Sequence, residues 1–297
     1  MPIQELVEYF NDRLEREHQS RFRPFILKEG KAIGLFGPIR IESIFSPLRL
    51  TLKPEVIVGH TAHISASPNK ISPLYTNEIE TLLADNSGPA GDFDSIINFD
   101  RLSRTVHMLN YLVLAHIQGV LFLEVDPRHI LGIKLDHGAY FEDVIRQCGL
   151  ETKNVAIVLA VNSQYAPYHK ELVNGLSNYR HRGYQIALKL DYLSQKTEAS
   201  DLIRKVSPNY VSLSAQNIED QDHDHNHNLL TRLTQFTALV ELSGGQSILH
   251  QINDKKSDSL ARNTHFNVAE GDYYKTIPLD YFSHSPLDQY GLEVRYL

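Results

Sequence analysis

The 297-residue chain carries 29 Lys and Arg against 36 Asp and Glu, for a net charge of -7, and is 42% hydrophobic and 22% charged. That balance suits a folded globular protein and is too apolar for a disordered one; without a basic stripe it also argues against a nucleic-acid partner. No apolar run approaches the roughly 20 residues of a membrane span, Met1–Glu5 lack the layout of a signal peptide, and the single Cys148 cannot form an intrachain disulfide, so a cytoplasmic protein with no membrane span is expected.

Ile3, Leu6, Val7, Phe10 and Leu14 recur at helical spacing and predict an amphipathic helix over residues 3–17. Pro24, Gly30, Gly34, Gly37 and Pro38 then mark an irregular or β connection. Beyond it, short apolar runs alternate with helical patterns. The predicted strands are Ile44–Leu50, Val56–Gly59, Val120–Val125, Val155–Val161, Gln185–Leu190, Tyr210–Leu213 and Ser247–Gln251. Predicted helices carry the apolar positions Phe99–Leu102–Val106–Leu109–Val113, Leu172–Leu176–Tyr179 and Leu230–Leu233–Phe236–Val240. Such alternation means a parallel sheet covered by helices. Periodicity alone does not separate a closed barrel from an open sheet. The strand count favours the barrel, and no glycine-rich phosphate loop follows the early strands. The polar stretch Ser65–Gly91, with a short helical candidate near Ile79–Leu83, reads as an excursion over the barrel mouth.

Several segments, in order, resemble the EAL domain, the cyclic di-GMP phosphodiesterase fold. Phe45-Ser46-Pro47-Leu48 and Glu55 through Ser65 are similar to its opening "FQPI … VVGYEALLR". Leu121–Pro127 resembles "L-x-V-N-V-S-P", and Ile157–Asn162 resembles "I-x-L-E-I-T-E". The best match, Leu172–Leu188, is similar to "L-x-x-L-R-x-x-G-x-x-I-A-L", and Leu202–Val211 to "L-x-x-L-x-P-D-x-I". The resemblance spans about Phe45 to Pro278 and implies a TIM-like (β/α)8 barrel with one strand reversed. The expected division is an N-terminal helical extension, 1–43, followed by the barrel, 44–297.

What the resemblance implies about chemistry is mostly missing. Two-metal phosphodiester hydrolysis needs carboxylate or amide oxygens converging at the C-terminal mouth of the barrel. The family's catalytic positions correspond to Thr61, Glu124, Ala160, Lys189, Leu190, Ser212 and Gln251, and a further Asp position to Ser214. The late "Q-G-Y" motif corresponds to Glu270-Gly271-Asp272. Lys189 places an ammonium where a metal belongs: at about 4 Å and a dielectric near 20, unit charges repel by about 4 kcal/mol, and a divalent ion doubles that. The family's ligand-grip positions correspond to Ser46 and Ser65. At about 1.5–3 kcal/mol per lost charge-assisted contact, affinity for cyclic di-GMP falls by roughly 10²–10⁴-fold.

Of the remaining features, His223, His225 and His227 form a short tract that reads as a solvated loop, since no second ligand cluster accompanies them. His60 and His63 flank the lost motif and read as core or rim histidines. Cys148 precedes Gly149 at a predicted helix C-terminus, as a buried small hydrophobe. Tyr273, Tyr274, Tyr281, Tyr290 and Tyr296 read as packing for a C-terminal segment. The expectation is a non-catalytic EAL-like regulator with no metal and no cofactor. Its partner is a protein, a homodimer is left open, and cyclic di-GMP binding is disfavoured. Two alternatives stand beside it: a non-hydrolysing cyclic di-GMP receptor, and an enzyme rebuilt around Glu124, Lys189, His250 and Glu270.

Overall fold

A computed structural model of the chain describes residues 2–18, 23–68, 93–112, 114, 119–133, 137–190, 198–221 and 229–275. The helical candidate near Ile79–Leu83, the His223–His227 tract and Tyr281, Tyr290 and Tyr296 lie outside the described residues.

Ten strands form one sheet: β1 (Phe25–Lys28), β2 (Lys31–Phe36), β3 (Ile39–Leu50), β4 (Lys53–Pro68), β5 (Val120–Val125), β6 (Val155–Val161), β7 (Gln185–Leu190), β8 (Tyr210–Ser214), β9 (Gln246–His250) and β10 (Val268–Ala269). Their order is β1-β2-β3-β10-β9-β8-β7-β6-β5-β4, and β3 also pairs with β4, so strands β3 to β10 close into an eight-stranded barrel. The pairs β5–β6, β7–β8, β8–β9 and β9–β10 are parallel, whereas β3 runs antiparallel to β10. That is the TIM-like barrel with a reversed strand.

The buried strands are continuous apolar runs, as parallel strands covered on both faces require. Val155, Ala156, Ile157, Val158, Leu159 and Val161 of β6 are all buried. Helices follow the strands: α1 (Ile3–His18), α2 (Phe93–Tyr111), α3 (Pro127–Gly132), α4 (Ala139–Gln147), α5 (His169–His181), α6 (Glu198–Val206), α7 (Ala215–Gln221), α8 (Leu229–Leu242) and α9 (Lys255–Asn263).

Contacts divide the chain into two compact units, 1–45 with 62–185, and 46–61 with 186–297. Within the first, α1 buries Leu6, Val7, Phe10 and Leu14. Asn11 acts as a surrogate strand edge: its Nδ2 donates to the Phe25 carbonyl (2.8 Å) and its Oδ1 accepts from the Phe25 N–H (2.9 Å). Asn110 on α2 repeats the device on Ala32 of β2, at 2.8 Å both ways. Each amide thereby satisfies a donor and an acceptor that a sheet edge otherwise leaves open.

The same unit contains a buried charged cluster. Asp100 and Arg104, one turn apart on α2, form an ion pair that also takes in His129 of α3, with His129 Nδ1 2.8 Å from the Asp100 carboxylate. Arg104 lies 3.7 Å from the Phe141 ring centroid and donates to the Tyr179 hydroxyl at 3.4 Å. Burial alone would raise the Asp100 carboxyl, but Arg104 and His129 hold it below its usual range. In the second unit, Tyr274 donates to Asp258 at 2.8 Å, and Asp254 caps α9 by accepting the Ser257 N–H at 2.8 Å. Among the described residues, no helix is long and apolar enough to cross a membrane.

Candidate functional site

Parallel pairing sets the site's geometry in the second unit. Lys189 of β7 is level with Ser212 of β8, Ser212 with Ile248 of β9, and Ser214 with His250. Partners in register share a sheet face, and so do residues two apart on one strand. Ala187, Lys189, Ser212, Ser214, Ile248 and His250 therefore lie on one face. Leu188, Leu190, Leu213 and Leu249 alternate onto the other, and all four are buried. The deeper members of the first face, Ala187, Ser212 and Ile248, are buried too. Lys189, nearer the C-terminal end, is exposed.

At that end His250 and Glu270 form a pair with little solvent contact. The His250 Nδ1 donates to Glu270 Oε2 in a short hydrogen bond, with side-chain exposures of 16% and 11%. Thr61 Oγ1 of β4 donates to the same carboxylate oxygen at 3.4 Å. The backbone holds Glu270 in place, since its N–H donates to the Leu249 carbonyl (3.0 Å) and its own carbonyl accepts the Ile252 N–H (3.0 Å). Between these anchors Gln251 turns the chain with φ +60°. Its side chain accepts a short hydrogen bond from Ser214 Oγ, while Ser214 Oγ accepts the Asn217 N–H of α7 at 3.1 Å. Gly271 sits so close to Ile252 that a Cβ there would lie 2.1 Å from the Ile252 carbonyl oxygen.

Also in this unit, His60 on β4 is buried, and burial together with the Arg49 guanidinium pushes its imidazole down to about 4. Ser46 on β3 is half-buried. In the first unit Glu124, the last residue but one of β5, is exposed and level with Val158 of β6. Ala160, two residues beyond Val158, shares that face and is half-buried, as is Ser65 on β4. His63 is exposed. Cys148 is buried at the C-terminus of α4, and burial pushes its thiol up to about 12, an inert state rather than a nucleophile's.

Among the described residues no three His, Cys, Asp or Glu side chains are grouped to hold a metal ion. Thr61 and Gln251, which the sequence resemblance sets at catalytic carboxylate positions, are engaged with Glu270 and Ser214. These links join residues 209 and 37 positions apart, which no motif spacing shows. The Asp100–Arg104–His129–Tyr179 cluster also escapes the sequence reading. Its one signal is an Asp and an Arg four residues apart within the apolar stripe of α2.

No protein-family model and no curated protein matches the chain. Solved structures do. The chain is similar to the BlrP1 protein of Klebsiella pneumoniae in its calcium and cyclic di-GMP complex, with a TM-score of 0.63 at 14% identity over 79% of this chain and 54% of that one. The same protein with FMN and cyclic di-GMP but no metal ions gives a TM-score of 0.55 at 16% identity, over 80% and 53%. The YkuI protein of Bacillus subtilis, with an EAL domain, in complex with cyclic di-GMP and calcium, gives 0.60 at 16%, over 80% and 55%. The fold is EAL-like. The chain spans about half the length of these proteins.

One expectation is overturned here. The partner was read as a protein, with a homodimer open and cyclic di-GMP disfavoured, yet the similar structures are cyclic di-GMP complexes. The expectation rested on two grip positions alone, Ser46 and Ser65. A cyclic dinucleotide meets a barrel mouth through many groups, backbone included, so two contacts do not decide it.

Proposed function

We propose that the chain binds cyclic di-GMP at the C-terminal ends of its parallel strands and does not hydrolyse it, acting as a receptor. One observation carries the reading: about four fifths of the chain superposes on EAL-type barrels solved with that dinucleotide. C-terminal strand ends are where barrels of this kind place their sites. The residues at the expected ligand positions support the absence of hydrolysis. Ala160 and Leu190 bring no oxygen ligand, Thr61 and Ser212 bring only hydroxyls, and Lys189 brings a positive charge. A hard divalent cation wants several carboxylate or amide oxygens, and of the expected positions only Glu124 and Gln251 bring one, the latter already bonded to Ser214. The metal-free complex of BlrP1 supports separating the two properties, since that protein holds the dinucleotide with no metal ions.

A rebuilt enzyme is the second reading, and the His250–Glu270 pair favours it. An imidazole oriented by a carboxylate is a ready general base. The two readings part in one experiment: calorimetric titration with cyclic di-GMP, then chromatography of the mixture after prolonged incubation with Mg²⁺ or Mn²⁺. The receptor reading expects saturable binding and only cyclic dinucleotide. Absence of binding heat contradicts it. Linear product rising with protein concentration, and lost in His250→Gln, establishes the rebuilt enzyme instead.

A further inference from the structure

Tyr140 of α4 carries two guanidinium groups. Arg13 of α1 lies with its Cζ 4.6 Å from the ring centroid, and Arg101 of α2 with its Cζ 5.1 Å from the same centroid. Three helices distant in sequence thus meet at one aromatic ring within the first unit. The two cations differ in their partners. Arg13 is paired with the Asp143 carboxylate, also on α4. Arg101 is half-buried, and its Nε is buried with no hydrogen-bond partner. Among the described residues no carboxylate and no side-chain hydrogen bond answers this guanidinium, whose contact is the Tyr140 ring. The carboxylate next to it in sequence, Asp100, is taken up by Arg104 and His129. A partly dehydrated cation without an acceptor is costly. Like charges at one ring, and three residues apart on one helix as Arg101 and Arg104 are, add repulsion. An anion relieves both.

We infer that Arg101 is an anion-binding residue, and that the seam of α1, α2 and α4 around Tyr140 takes a small oxyanion, a phosphate or a carboxylate. The inference is independent of the receptor reading, since it uses no residue of the strand-end site. A guanidinium presents its donors as a planar fork that matches two oxygens of either group. Stacking on Tyr140 fixes the plane of that fork, so less freedom is lost on binding. Arg13, held by Asp143 on the same ring, adds to the positive field that attracts the ligand. Because the site exists only where the three helices are packed together, binding stabilises the folded chain.

The test is NMR of the whole chain, following the Arg101 Nε–H signal, assigned by its loss in Arg101→Lys. Inorganic phosphate or acetate replaces chloride at constant ionic strength. The expected result is a saturable shift of that signal, and the anion that saturates at the lower concentration identifies the class. The melting temperature of wild type is expected to rise over the same concentrations. In Arg101→Gln that rise is lost. Arg101→Lys keeps the charge without the fork and is expected to need about 10-fold more anion, the loss of part of a charge-assisted contact. A signal that stays still with both anions, or that moves in proportion to concentration without saturating, overturns the inference. So does a full rise in melting temperature in Arg101→Gln. The wild-type signal decides the matter whether or not the variants fold.

Discussion

At the scale of single residues, the candidate site depends on a backbone crossing that only glycine permits. A methyl group at Gly271 meets the carbonyl oxygen, nitrogen and carbonyl carbon of Ile252 at 2.1–2.6 Å. These are backbone atoms, already bonded to Glu270 and Tyr273, so they cannot swing aside as a side chain does. Gly271→Ala therefore has to separate the two segments that hold His250 against Glu270. The expected outcome is a fall of several degrees in melting temperature, as a loss of 2 kcal/mol or more gives in a domain of this size. Ligand affinity falls with it. The buried cluster in the first unit makes a second prediction. Arg104→Met removes the arginine partner of the buried Asp100 carboxylate and leaves it His129 alone among its charged neighbours, and breaking a buried pair costs up to about 3–5 kcal/mol. The double change Arg104→Met with Asp100→Asn recovers part of that loss, measurable by denaturant unfolding.

Buried histidines make stability depend on pH, His60 and His107 most clearly. Burial and Arg49 hold His60 down to about 4; burial, with His63 and Arg104 nearby, holds His107 down to about 3 against an opposing pull from Asp100. An unfolded chain protonates both as pH falls below about 6.5, whereas the folded chain resists. Their contribution is thus fully present above about 6.5. It is lost progressively down to about 4, at about 1.4 kcal/mol per pH unit for each histidine. Denaturation midpoints measured from pH 7.5 to 4.5 should fall across that window. In His107→Asn, which removes one of these groups, the slope should be shallower, with the remainder carried by His60 and by His129, which burial also lowers.

At the scale of elements, the central strands were legible because parallel strands buried on both faces are unbroken apolar runs. Val120–Val125, Val155–Val161 and Gln185–Leu190 stand as read. Strands whose character comes from pairing were not. β10 is two residues long and exists through its bonds to β3 and β9, and β4 runs from Lys53 to Pro68, far beyond the short apolar run at Val56. β1 and β2 lie in a stretch punctuated by Pro and Gly, where two asparagines complete their hydrogen bonding. The site shows the same division. Motif order set the expected site positions, but the bonds that Thr61 and Gln251 make are not visible in it. α1 was readable from its stripe, and the structure shows Phe10 fully buried. Phe10→Ala should cost about 3–5 kcal/mol. Deleting residues 1–20 should lower the melting temperature at least as far as Phe10→Ala does.

At the scale of the whole molecule, the barrel is EAL-like. A fold hosts many functions through the residues at its site, and the proposed function rests on the hydroxyls, the ammonium and the carboxylate-held histidine at these strand ends. The account's central claim is that such a barrel keeps the dinucleotide and loses its hydrolysis. The direct test is one measurement: incubate the chain with labelled cyclic di-GMP and Mg²⁺, isolate the protein-bound label, and identify it chromatographically. The account predicts bound label recovered wholly as intact cyclic dinucleotide. Label that never associates with the protein, or that is recovered as linear dinucleotide, contradicts it.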